Sequence, residues 1–304
     1  MTTVLLVNHK QPACGVYQFG KRIYDLVKDS ENVIYYYTEV DELASYCSAV
    51  NFYKPDIIVY NWHRGTMPWL TEKMIIGDTS YKHYFIFHEE FVRKNYDKYL
   101  FLGAYDFTNG EKFGDKKVLL PRPLLEYNGT YSKNKVLTVG SFGFGFWQKG
   151  FHELTSVINH SFDKAVLNLH MPYSFFGDPL KEQTNAVELE CWNRVSNSGF
   201  TLNITHELLD DDGVLKFLAG NDINMFLYGE NGEGISSVID YALSVKRPIA
   251  ISNSKMFRHL DNSEILYSEN SIVDIINKGT KPLEKYYKDW SIENFRKEFD
   301  KVFL

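Results

Sequence analysis

Lysine, histidine and glutamate set among glycines are the residue types from which a phosphate or sugar site can be built. Three stretches of this chain carry them. In the first, VLTVGSFGFGFWQKGFHEL (136–154), Gly140, Gly143 and Gly145 precede Lys149-Gly150. A buried strand, a glycine-rich turn and a helix N-terminus leave backbone N–H groups facing outward at the positive end of a helix dipole, which makes an anion site. A cation is unfavourable at that end unless an anion lies near, so Lys149 is expected beside a diphosphate. Trp147, in the same turn, could stack on a base, cover the site, or pack between domains. In the second stretch Glu233 stands between Gly232 and Gly234. Glycines allow close backbone approach, so Glu233 could hold sugar hydroxyls; capping the amides of Ser236 or Ser237 is the plainer use. In the third, His88 and Glu89 follow the apolar run Phe85-Ile86-Phe87, which suits a polar contact at a reaction centre. His63, beside Trp62, also ends a strand. The run Asp210-Asp211-Asp212 could suggest a metal, but it precedes a helix, where an N-cap and dipole-favoured acids explain it more simply.

The elements that must carry these residues read as alternating strands and helices. In the first half, strands are expected at Val4–Val7, Asn32–Tyr37, Ile57–Tyr60, Tyr84–Phe87, Tyr105–Asn109 and Lys117–Leu120. Helices are expected at Val16–Lys28, Glu42–Phe52 and Pro68–Met74. The second half repeats the pattern. Its strands are 136–139, 165–169, 200–204, 223–227 and 248–251; its helices open near Lys149-Gly150 and at 187–195, 213–219 and 236–243. An amphipathic helix covers 285–303. Such alternation predicts an α/β chain with open, mostly parallel sheets, whose ligands bind beyond the carboxyl ends of the strands. The extended Pro121-Arg122-Pro123 and the polar stretch 126–134 mark a boundary. The expected domains are 1–130, 131–283 and a C-terminal helix, 284–304, packing back on the first.

Composition narrows the function classes. At 304 residues the chain is long enough for two cores. A net charge of −6 gives no dedicated nucleic-acid surface. Its three cysteines, at 14, 47 and 191, have no metal-ligand spacing, which fits a reducing, cytoplasmic setting. No leader or membrane span is visible.

Four pieces resemble the retaining GT-B glycosyltransferases, the group that includes bacterial mannosyltransferases and sucrose synthases. Gly15-Val16-Tyr17-Gln18-Phe19 resembles the glycine-opened first helix of the family, with Cys14 in place of the first glycine. Phe85 to Glu89 resembles the strand ending in His-Asp. Gly140-Ser141 through Lys149-Gly150 resembles the diphosphate loop. Gly232-Glu233-Gly234 through Pro248-Ile249-Ala250 resembles the segment that holds sugar and ribose hydroxyls. Two departures stand out: the family arginine is Ser141, and its second glutamate is Tyr241, one position from Asp240.

The resemblance implies two Rossmann-like doubly wound domains facing across a cleft. It implies transfer of a sugar from a nucleotide-diphosphate donor to an unidentified acceptor, saccharide, lipid-linked or other, with retention and with neither cofactor nor metal. His88, Lys149 and Glu233 would be catalytic. Gly15, Gly143, Gly145, Trp147, Gly234, Ile235 and Asp240 would join Lys149 and Glu233 at the donor. Val16, Tyr17, His63 and Glu89 would lie on the acceptor side. The alternatives are a silent GT-B-like binding protein and an NAD(P)-dependent oxidoreductase, although GxxGxG here is not the dinucleotide spacing GxGxxG.

Overall fold

The computed structural model describes residues 1–76, 78–88, 96–103, 114–229 and 234–304. These divide into two compact units, Met1–Pro123 with Asp289–Leu304, and Leu124–Lys288. The first boundary falls at 123/124 rather than 130, because the Leu125 N–H donates to Ser244 Oγ at 2.8 Å and ties the linker to the second unit.

The first unit is built on β1 (Thr2–His9), α1 (Gly15–Val27), β2 (Val33–Val40), α2 (Leu43–Tyr53), β3 (Ile57–Tyr60), α3 (Glu72–Ile76), β4 (Lys82–Ile86), β5 (Lys98–Leu102) and β6 (Lys117–Leu120). Its strands lie in the order β2-β1-β3-β4-β5-β6, all parallel. The order reverses between β1 and β3, where Val7 pairs with Tyr60. The residues that follow, Asn8-His9 and Asn61-Trp62-His63, therefore emerge side by side at a switch point, the place where open sheets bind ligands.

The second unit contains β7 (Thr138–Phe142), α4 (Phe151–Ser161), β8 (Ala165–His170), α5 (Glu182–Asn193), β9 (Phe200–Thr205), α6 (Asp211–Ala219), β10 (Ile223–Phe226), α7 (Val238–Ser244), β11 (Ile249–Ile251), α8 (Ile272–Lys278) and α9 (Glu284–Asp289). Its parallel order, β11-β10-β7-β8-β9, is the doubly wound one, with the switch between β7 and β10. The core on one face joins Val139, Leu167 and Leu169 to Phe151, Leu154 and Val187.

The last helix, α10 (Ile292–Lys301), belongs to the first unit. It buries Phe295 and Phe299 against Val4, Leu6 and Tyr35. Its Asp300 accepts from Tyr35 Oη at 2.8 Å and Ser30 Oγ at 2.6 Å.

Several elements differ from the sequence expectation. The 136–139 strand is displaced to Thr138–Phe142, so Gly140 lies within the ladder. There a Cβ would fall 1.9 Å from Asn221 Nδ2, and the glycine admits that side chain against the sheet. The proline-led helix at 68–74 is a turn followed by the short α3, because Trp62 Nε1 and Leu70 N both donate to Met67 O. The helix at 285–303 breaks at Trp290-Ser291, where Ser291 Oγ caps α10 by accepting from Asn294 N. Strand β5 and helix α8 had no counterpart in the reading. The expected strand at 105–109 lies outside the described residues.

Candidate functional site

In the second unit the glycine turn leaves the end of β7 with Gly143 at φ +148° and passes Gly145, which lies against the Thr184 side chain. It closes in a 3-10 turn, Trp147–Lys149, before Gly150 and α4. Gly150 is fixed twice over. Its φ is +66°, and a Cβ there would sit 1.9 Å from Leu227 O. The Gly229 N–H donates to Gln148 O at 2.9 Å, so the turn is stitched to the segment leaving β10. Between these two segments lies an open hollow of about 660 Å³, lined by Trp147, Gly150, His152, Leu227, Tyr228 and Gly229 among others.

Lys149 stands half-buried at this junction, its Nζ 4.0 Å above the Tyr228 ring. Among the described residues no carboxylate pairs with it, and burial lowers its pKa to about 8. A charged amine held over an aromatic face in a partly dry place gains most from an anion. Trp147 is 44% exposed; its backbone N–H donates to Gln183 Oε1, and its ring meets His152 edge-on at 5.2 Å.

Gly234 and Ile235 are described and half-buried, with Gly234 O accepting from Arg258 Nη1 at 3.1 Å. Glu233 and Glu89 lie outside the described residues. Asp240 lies in α7, every residue of which is buried, and has no exposed surface. Tyr241, where the family glutamate would stand, donates its hydroxyl to Asp211 Oδ1 at 2.6 Å. Asp210 caps α6 by accepting from Gly213 N. Ser141, in the arginine position, is 1% exposed, and its Oγ has no hydrogen-bond partner among the described residues.

In the first unit His88 follows β4, edge-on to Phe19 at 5.5 Å, with Nε2 2.7 Å from Asn61 Oδ1. Its pKa is pushed down to about 3, first by burial, then by His63, Arg122 and His9. His63 is close enough to contribute, and its Nδ1 accepts from Gly65 N at 3.0 Å. Val16 and Tyr17 serve inwardly: their carbonyls accept from Asn61 Nδ2 and Asn8 Nδ2. The Tyr17 hydroxyl donates to Glu39 Oε1 at 2.7 Å, and its pKa is raised to about 12 by burial and then by Glu39. Gly15 opens α1 with nothing within 4 Å of its Cβ position. Of the expected residues that are described, Gly143, Gly145, Trp147 and Lys149 follow β7 at the switch point of the second sheet, and His63 and His88 follow β3 and β4 in the first.

Asn8 and Asn61 were given no role from the sequence. The signal was there: both end an apolar strand with asparagine, VLLVN at 4–8 and IIVYN at 57–61.

No protein-family model matches this sequence, and no curated protein matches it. Solved structures do match. HepE of Anabaena, in complex with UDP and glucose, superposes with a TM-score of 0.70 at 9% identity, over 99% of each chain. The fold is GT-B. The trehalose-6-phosphate synthase OtsA follows at TM-score 0.67 and 10% identity, over 99% of this chain and 98% of its own. A UDP-forming alpha,alpha-trehalose-phosphate synthase of Burkholderia xenovorans, in complex with glucose-6-phosphate, gives 0.62 at 10% identity, over 100% and 98%. The GT-B fold accounts for the repeated doubly wound sheets.

Proposed function

We propose that the protein is a glycosyltransferase that takes a sugar from a nucleotide-diphosphate donor, with UDP the first nucleotide to try. The observation that carries this reading is Lys149, a half-buried cation with no carboxylate partner among the described residues, at the end of a glycine turn on a sheet switch point. UDP in the HepE structure supports the choice of base. In this reading the diphosphate lies against residues 143–150. Lys149 and the main-chain N–H groups there stabilise the charge that grows on the departing phosphate. The resemblance to the retaining transferases supports retention, and Lys149 with the main-chain N–H groups supplies positive charge that a metal ion would otherwise bring. Glu233, Gly234 and Ile235 hold the sugar, and His88 offers a polar contact to substrate at the switch point of the first sheet. The acceptor enters past His63 and residues 15–17.

Thermal-shift titration with UDP, GDP, ADP and NAD, followed by mass spectrometry of UDP-sugars with candidate acceptors, tests the proposal. A shift with UDP and release of UDP on turnover are expected. Stabilisation by NAD alone would overturn it. Ser141 favours a second reading, since a buried hydroxyl replaces a second cation. Nucleotide binding without turnover would mark the chain as a silent binding protein.

A further inference from the structure

The histidine at the end of β4 is held by a chain of side chains that all donate in one direction. His88 Nε2 lies 2.7 Å from Asn61 Oδ1. Asn61 Nδ2 donates to Asn8 Oδ1 at 2.9 Å and to Val16 O at 2.7 Å. Asn8 Nδ2 donates to Tyr37 Oη at 2.9 Å and to Tyr17 O at 3.0 Å. Tyr37 donates to Glu39 Oε1 at 3.1 Å. Both asparagines are buried, 1% and 3% exposed.

Elementary bonding rules set the protons along this chain. A backbone carbonyl only accepts, so the amide nitrogen of Asn61 must face Val16 O and its oxygen must face His88. An amide oxygen also only accepts, so the proton between the two residues sits on His88 Nε2. A neutral imidazole has one N–H, and Nδ1 therefore keeps its lone pair. Nδ1 has no hydrogen-bond partner among the described residues. The chain ends on a carboxylate, and hydrogen bonds aligned in one sense polarise one another. Helix α1 makes room for this arrangement: a Cβ at Gly20 would lie 2.2 Å from Asn61 Nδ2.

We infer that Asn61 is a positioning residue, fixing His88 in its Nε2–H tautomer so that Nδ1 is left to accept a hydrogen bond from a substrate hydroxyl. The ligand in this statement rests on the glycosyltransferase reading; the tautomer rests on geometry alone.

The two parts are tested separately. Nitrogen-15 NMR of the histidine ring in the unliganded full chain should show a protonated Nε2 and a bare Nδ1 from about pH 5 to 8. In Asn61→Ala the preference should be lost. kcat with a UDP-sugar should then fall about tenfold to a hundredfold, the usual cost of losing a partner that orients a histidine, with donor KM within about threefold. Nδ1–H in the wild-type chain would overturn the inference. So would an unchanged tautomer in Asn61→Ala, or an unchanged kcat beside a changed tautomer. The wild-type spectrum needs no substitution and decides the point even where Asn61→Ala fails to fold. A chain showing the Nε2–H tautomer but transferring no sugar overturns the glycosyltransferase reading and leaves the hold of Asn61 on His88 standing.

Discussion

Lys149 carries its charge into a place where the Tyr228 ring faces it and, among the described residues, no carboxylate does. Replacing it with alanine should weaken UDP binding about tenfold to a hundredfold, since a charge-assisted contact contributes about 1.5–3 kcal/mol. Uridine binding should be unchanged; calorimetry with both ligands decides. The pH dependence has a definite sign. Burial depresses the pKa of this lysine to about 8, by disfavouring the charged form. A bound diphosphate favours the charged form, so binding raises the pKa and takes up a proton. UDP affinity should therefore be full below pH 8 and fall above it. Calorimetry in buffers of differing ionisation enthalpy reads the proton uptake, and none near that pH would contradict the assignment. At this scale Lys149 stood out in the sequence because a cation at a helix start is anomalous. The burial of Asp240 was not legible, because an acid in a helix suggests exposure, while every residue of α7 is buried.

Among the elements, the glycine turn makes the sharpest demands. Gly150→Ala would press a methyl group against Leu227 O at a left-handed φ. It should cost about 2–4 kcal/mol of stability in denaturant unfolding. Gly15 is the contrasting case. Its Cβ position is empty and its φ is not left-handed, so Gly15→Ala should leave stability unchanged or raise it by up to about 1 kcal/mol. A fall in transfer rate without a fall in stability would then report a ligand passing over α1. The strand runs were legible because parallel strands covered on both faces show as unbroken apolar blocks. Helix α8 was also legible in principle, since Ser271 caps it and Asp274 follows three residues later. Strand β5 was harder: Lys98 leads only four apolar residues, Tyr99 to Leu102. Asn61 and Asn8 could be read only as strand ends, because what they hold is set by which strands become neighbours.

For the whole chain, the sequence carried the repeated α/β plan. It also led to the expectation that a C-terminal helix packs back on the first unit, but not to that helix's partners, such as Ser30 and Tyr35, some 270 residues away. Asp300→Ala would leave those hydroxyls without their acceptor. It should lower the stability of the first unit by about 2–3 kcal/mol, seen as an earlier unfolding transition, while UDP binding by the second unit is retained.

The same return fixes an order of events on the ribosome. Multidomain chains commonly fold their leading part first as it emerges. Here the leading sheet must wait, since Phe295 and Phe299, which complete its hydrophobic interior, are translated only after all of residues 124–288. The trailing lobe is thus synthesised whole while the earlier one is still incomplete and open to chaperones. A released chain truncated before Phe295 should resist protease in its second half and be cut in its first.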